Sequence, residues 1–262
     1  MIIYKAVAKK TKAGEIIEEK NPKLTRKING VLNEYAKKIA DKAAKLYGDK
    51  FNKAEMSDEE VIQQILKALG IDEMSIDIVD VITPEMIKIF KESGIEGFNQ
   101  VKIDVSESAS TKLNQSAMDY AESHGGELIQ DLAGTTEDAL HDTLVKALDE
   151  GLSPKELSDM IQELGAFGES RADMISRTEL AFAHSQGNIE GWKQTGVVDR
   201  KEWLVSPGCC SDCEELDGEI VDIDEDFSGG VDMSPLHPNC ECVVLPVVAD
   251  QTNENDQTDQ GE

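Results

Sequence analysis

The sequence predicts a mainly α-helical chain that ends in a small C-terminal α+β knob. Three observations carry this. Aromatic residues make up only 5% of the 262, while Ala, Leu, Ile and Glu abound, a composition that favours helix over sheet. Helix start and stop signals recur from Asn21 to Gly196. Beyond Gly196 the helical period gives way to short apolar runs, and all five cysteines fall there.

The elements follow in order. Residues 21–48 read as a helix, with Asn21 as cap, Pro22 at the first helical position and Leu24, Ile28, Val31 or Leu32, Tyr35 and Ile39 at helical spacing. "SDEEVIQQILKALG" begins with a capping box, Ser57 with Glu60 three residues on, and stops at Gly70. "TPEMIKIFKESG" repeats the pattern, with Thr83 as cap, Pro84 in the first turn and Gly94 at the end. A polar helical stretch from about Asn99 to Leu132 is expected to break near Gly125 and Gly126. "TTEDALHDTLVKALDEG" spaces Leu140, Leu144 and Leu148 four apart before Gly151. Ser153, Pro154 and Glu156 form a second box, closed at Gly165, and the short "GLSP" link makes these two helices antiparallel neighbours. "ESRADMISRTELAFAHSQGNIEGWKQTG" is a helix ending at Gly196. "RKEWLVS", with Trp203 and Val205 alternating, "GEIVDI" and "CVVLPVV" read as strands, with a loop between the last two.

Three regions result: a helical N-terminal region, 1–95, basic at its start; a region 96–248 that carries the knob at 200–248; and an acidic tail, 249–262, with no apolar residue in its last dozen positions, expected to be disordered.

Charge excludes one class of function. The net charge is −27, but residues 1–53 hold 14 Lys+Arg against 6 Asp+Glu, a balance of +8, which leaves −35 on the rest. Such a body repels the phosphates that supply most non-specific nucleic-acid affinity. The basic start is either a solvated lysine-rich helix or a docking segment for an acidic partner. No run of 18 apolar residues occurs, so no membrane-spanning helix is expected. The first residues are too polar for a signal peptide. A reducing cytosol is therefore the expected place of synthesis, where clustered cysteines read as metal-binding or catalytic rather than disulfide-bonded.

Cys210 and Cys213 form C-x-x-C, and His237, Cys240 and Cys242 form H-x-x-C-x-C. Together they offer five candidates for the four tetrahedral positions of a structural zinc. If 240–242 is extended, Cys240 and Cys242 point to one side and a four-cysteine site is possible; His237 permits a Cys3His site instead. Cys209 reads as an unliganded neighbour. The alternatives are small buried thiols or a redox pair, but the βαβ frame of the latter is missing. The knob has few large apolar residues, so the metal would be structural: the fold class becomes mainly α with a zinc-stabilised knob. The acidic "EELDGEIVDIDED" does not have the spacing of a calcium loop.

Other polar candidates are weaker. Arg177 lies four after Asp173, a good pair position, and is expected to set its guanidinium against acidic neighbours and orient the knob, with Glu179 as a second structural polar group. His124, His141 and His184 have no acid partner at a recognisable spacing, so a helix-surface position is the default for each. Neither a G-x-S-x-G elbow nor a P-loop is present.

The order "RADMISRTELAFA", "GWKQTGVVDRKEWLVS", "CSDCEELDGEIV", "PLHPNCECVVLP" resembles the C-terminal domain of phage minor head proteins, the head-morphogenesis family related to the F protein of phage Mu and the minor capsid protein of phage SPP1. The shared residues are Arg177-Thr178-Glu179, Cys210, Cys213, Asp217-Gly218, His237-Pro238 and Cys240-x-Cys242, over Arg171 to Pro246, with 99–165 like the usual lead-in. Glu241 stands where the family commonly has arginine, and His184-Ser185 where an asparagine is often found. The resemblance makes 96–248 the minor head domain. It implies a non-enzymatic virion component, built in the bacterial host cytoplasm, that contacts the portal or other capsid proteins and DNA at most indirectly during packaging or ejection. No membrane or small-molecule substrate is implied. The competing reading is a phage-delivered enzyme, ADP-ribosyltransferase-like or a nuclease, using Arg177, Glu179 and His184.

Overall fold

The computed structural model describes residues 2–3, 12–50 and 56–248. The expected acidic tail 249–262 and residues 1, 4–11 and 51–53 of the basic segment lie outside the described residues. Six long or medium helices precede the knob: α1 (Lys12–Lys50), α2 (Asp58–Leu69), α3 (Ile71–Gln100), α4 (Glu107–Asp149), α5 (Pro154–Gln162) and α6 (Glu169–Thr195). A 3-10 turn, Gly165–Phe167, joins α5 to α6.

Both capping boxes form. Ser57 accepts from the Glu60 N–H while Glu60 takes the Ser57 N–H, and Ser153 and Glu156 do the same. Gly70 (φ 78°) and Gly196 (φ 69°) close α2 and α6 in the left-handed conformation. Helix α5 stops at Gln162, short of Gly165, and packs chiefly on α1 rather than on α4.

Three expected boundaries are absent, each for a reason of packing. Helix α1 begins at Lys12, so Pro22 lies inside it, and Asn21, instead of capping, donates to Asp173 of α6 at 2.6 Å. Helix α3 runs through Pro84 and Gly94. Ile78, Val79, Ile82, Met86, Ile89 and Phe90 form one buried stripe through the proline. At ~1.5–3 kcal/mol for each large apolar side chain, that stripe outweighs the ~3 kcal/mol an internal proline costs. Helix α4 is continuous through Gly125. A Cβ there would sit 3.1 Å from Val79 Cγ1, so this glycine lets α4 approach α3 rather than breaking it.

The body has one core, built from Leu24, Ile28, Ile39, Ile78, Ile82, Leu144 and their neighbours on all six helices. Toward the C-terminal ends of both helices, α3 and α6 approach almost backbone to backbone. A Cβ on Gly187 would fall 2.2 Å from the Phe90 carbonyl oxygen, and one on Gly191 2.2 Å from that of Gly94. Only glycine permits this approach.

The knob has a second core of Trp192, Val198, Trp203, Leu216, Phe227 and Val244, which includes Cys213, Cys240 and Cys242. The three expected strands form: β2 (Val198–Leu204), β3 (Ile220–Asp222) and β4 (Val243–Val248). With β1 (Ile2–Ile3), which carried no signal in the sequence, they make an antiparallel sheet ordered β1-β4-β2-β3. Strand β2 is central and buries Lys201, Glu202 and Trp203 in succession, so it does not alternate as expected. Trp192, near the end of α6, belongs to the knob core and donates to Gln100 Oε1 at 2.8 Å, tying knob to body. No described helix is long and apolar enough to cross a membrane.

Candidate metal centre

Two tight turns bring the cysteines together. After β2 the chain reverses at Gly208 (φ 84°) and enters α7 (Ser211–Glu214), a single turn with Cys210 at its cap and Cys213 inside. After the long loop, Asn239 takes φ 60° and the Cys240 N–H bonds the His237 carbonyl at 3.1 Å. This turn sets His237 and Cys240 beside α7, and Cys242 follows just before β4.

Cys210 Sγ lies 3.2 Å and Cys213 Sγ 3.4 Å from His237 Nε2, and Cys213 Sγ lies 3.6 Å from Cys240 Sγ. Two triads share one member: Cys210, Cys213 and His237; and Cys213, Cys240 and Cys242, with the ligand atoms of each within 4.8 Å of one another. Around an ion with arms of about 2.3 Å to sulfur and 2.0–2.1 Å to nitrogen, tetrahedral edges are ~3.6–3.8 Å. The observed separations lie within a few tenths of that. Cys213, Cys240 and Cys242 are buried and Cys210 is exposed. Cys209 belongs to neither triad.

The histidine is oriented as a ligand would be. Its Nδ1 lies 2.9 Å from the Pro238 carbonyl. A carbonyl can only accept, so Nδ1 carries a proton, and when the ring is neutral its Nε2 lone pair faces the two sulfurs. Charge among the thiols is uneven. Hydrogen bonding from Cys242 is the largest cause that pulls Cys240 down to about 5, the same contact pushes Cys242 up, and burial pushes Cys213 up to about 12. A soft donor set of thiolate and imidazole at these separations suits zinc.

Helix α6 holds the closing loop through consecutive residues. Arg177 Nη2 contacts Glu241 Oε1 at 2.8 Å, and Thr178 Oγ1 accepts from the Asn239 N–H at 3.2 Å. These contacts bracket Cys240. Arg177 therefore reaches across the chain rather than to Asp173, which bonds Asn21 instead. Glu179, buried, points the other way and bonds His124 Nε2 on α4 at 2.6 Å.

The histidines are not all on helix surfaces. His124 is stacked on Tyr120, tilted against Phe182 and paired with Glu179. Burial pushes its pKa down, but the bond to and charge of Glu179 prevail and the net shift is upward. His184 is buried beside Asn188 of its own helix. His141 is the most exposed of the three, 3.5 Å from Glu59. Arg177, Glu179 and His184 thus contact three different neighbours and do not converge. Fifty-five positions separate His124 from Glu179, so no local spacing could announce the pair.

Residues 138–245 match the family model described as Phage Mu protein F like protein, a span from within α4 into β4 that contains the Arg-Thr-Glu segment and all five candidate ligands. The chain is also similar to a Bacillus subtilis (strain 168) protein named "Uncharacterized protein YqbB", 30% identical over 129 residues, which cover 43% of this chain and 42% of that protein. The chain thus spans under half the length of that relative. No solved structure matches.

Proposed function

We propose, from the match of residues 138–245 to the Phage Mu protein F-like family model, that this protein is a minor head component of a phage, an assembly and interaction element rather than an enzyme. It joins the head during its assembly in the host cytoplasm, docks on the portal or a neighbouring capsid protein, and acts on DNA packaging or ejection through that contact. The acidic body argues against direct DNA binding, and the basic stretch within 1–53 is the candidate docking segment. The region 96–248 is its working domain. Nothing in the placement of Arg177, Glu179 and His184 favours the transferase or nuclease reading.

The observation that carries the structural half of this reading is Cys213 at the junction of two ligand triads. Cys213 with three of Cys210, His237, Cys240 and Cys242 would hold one zinc. The ion would supply folding free energy to the knob, ~10–16 kcal/mol of apparent binding in small zinc domains. Elemental analysis of untagged protein tests this part, with about one zinc per chain expected; free thiols and no metal would overturn it. Mass spectrometry of purified phage heads tests the assembly role. The chain should be present at far fewer copies than the shell protein, and its absence from finished and immature heads alike would defeat that role.

A further inference from the structure

Beside the knob the helical body leaves a cavity of about 610 Å3, walled by α4, α6 and residues 232–238. The assembly reading makes no use of it. Its floor is aromatic, with His124 lying between Tyr120 at 5.1 Å and Phe182 at 5.3 Å, centroid to centroid. Glu127, Asp131 and Asp232 line it too, all exposed. None of these three carboxylates makes an ion pair or hydrogen bond among the described residues. No Lys or Arg lines the cavity. The Glu179 charge is already met by His124; Glu127 and Asp131 add to the field at that imidazole and Asp232 acts on the buried Lys201, so the opening keeps an excess of negative charge with no close ion-pair partner for the three among the described residues.

One further group is unmet. The Tyr120 hydroxyl is buried and has no hydrogen-bond partner among the described residues, an arrangement that native structures seldom leave without a reason. Burial raises its pKa, and the charges of Glu179, Asp232 and Glu127 raise it further, so negative potential from both walls meets at this ring. A ligand suited to such a place carries positive charge on an apolar stem. The charge meets the carboxylates and the faces of Tyr120 and Phe182, and the stem covers the aliphatic wall of Leu128, Leu132 and Met233. A phosphate backbone would meet three like charges instead.

We propose that this cavity is a receptor for a basic segment of a partner protein, which inserts a Lys or Arg side chain between Glu127, Asp131 and Asp232 and against the Tyr120 and Phe182 rings. The partner is recognised by charge on an amphipathic stretch. The site is independent of the proposed zinc, since none of the three carboxylates is a candidate ligand.

The test is a fluorescence-anisotropy titration of the full chain with a short labelled helical peptide of Leu, Ala and Arg, and with the same peptide carrying Glu for Arg. The Arg peptide is expected to bind and the Glu peptide not to. The triple variant Glu127→Gln, Asp131→Asn, Asp232→Asn is expected to weaken binding about tenfold or more, about 1.4 kcal/mol. Its metal content and melting temperature should stay unchanged, which separates this result from any failure of the zinc reading. The variant Glu137→Gln, Asp138→Asn, Asp149→Asn removes the same charge from exposed positions of α4 outside the cavity and should bind as the parent does. Equal loss in both variants would reduce the effect to net charge and overturn the proposal. So would failure of the Arg peptide to bind, or a DNA oligonucleotide that displaces it.

Discussion

Replacing Gly191 by alanine adds one methyl group at the point where α3 and α6 touch. The new Cβ would lie 2.2 Å from the Gly94 carbonyl oxygen and 3.0 Å from Gly94 Cα. Ordinary contact of carbon with a carbonyl oxygen begins near ~3.3 Å, so the helices must part by about 1 Å. Both sides of the clash are backbone, and no rotamer can relieve it. Overpacking of this kind costs ~1–3 kcal/mol. A gap of 0.5–1 Å also forfeits roughly a quarter to a half of each dispersion contact along the opened face, which here belongs to the most extensive helix pair of the body. Against this stands at most about 1 kcal/mol of helix propensity gained by Ala over Gly. The net expectation is a loss of about 2 kcal/mol or more, a melting temperature lower by roughly 4–8 °C. Gly134→Ala in α4 is the control of opposite sign. That position is exposed, and a Cβ there meets nothing within 4 Å, so propensity acts alone and stability should rise by up to about 1 kcal/mol. Urea unfolding followed by far-ultraviolet circular dichroism measures both. A neutral or stabilising Gly191→Ala would refute the close approach.

Chelation should unfold the knob and spare the body, because the two have separate cores; near-ultraviolet signals of Trp192 and Trp203 should collapse while helix content largely persists, and a single unchanged melt would contradict this. Cys213→Ser, which removes the member common to both triads, should abolish metal retention, whereas Cys209→Ser should keep about one ion per chain. The His124–Glu179 pair makes stability depend on pH. The folded pKa of His124 is raised above the ordinary 6.5, so the pair's contribution is complete below that value and fades as pH rises through the folded pKa. His124→Gln should flatten that slope in melts taken across neutral pH, and an unaltered slope would remove the pair from the account. The Arg177–Glu241 contact is partly exposed, with side chains 37% and 65% accessible, so a double-mutant cycle should return a coupling of only ~0.2–1 kcal/mol.

Local grammar in the sequence identified the two capping boxes, the glycine stops at Gly70 and Gly196 and the three C-terminal strands, because each depends on residues within a turn or two of one another. The same grammar misled at Pro22, Pro84 and Gly125. There the deciding terms are distant: a buried stripe of α3, an approach of α4 to Val79, a bond from Asn21 to Asp173. Strand β2 failed to alternate for a similar reason. It is one of the two inner strands, and Lys201 lies buried with its ammonium 5.4 Å from the Phe227 ring centroid, a contact that period alone cannot foresee. The candidate ligands were legible as C-x-x-C and H-x-x-C-x-C, but their division into two triads around Cys213 required the loop geometry. His124 with Glu179, and the cavity above them, required the packing of α4 on α6.

The contiguity of Arg177, Thr178 and Glu179 acquires a physical sense from where each side chain goes. Successive helix positions are about 100° apart, so three neighbours cannot form one site, but they can hold three things at once. Arg177 and Thr178 grip Glu241 and Asn239 on either side of Cys240, and Glu179 anchors the same turn of α6 to α4 through His124. The magnitudes separate two tasks. A partly exposed ion pair and one hydrogen bond supply together ~1–2 kcal/mol, far too little to fold a knob with so small a core. The proposed ion could supply several times that, yet a tetrahedral centre with all four ligands inside the knob says nothing of how the knob sits on the body. The metal would therefore close the knob and the Arg-Thr-Glu turn would orient it. Arg177→Ala should then leave metal content and knob folding intact while loosening the loop over the cavity beside α4, seen as faster amide exchange at Asn239 and Glu241; loss of the ion in that variant would show that closure and orientation are one task.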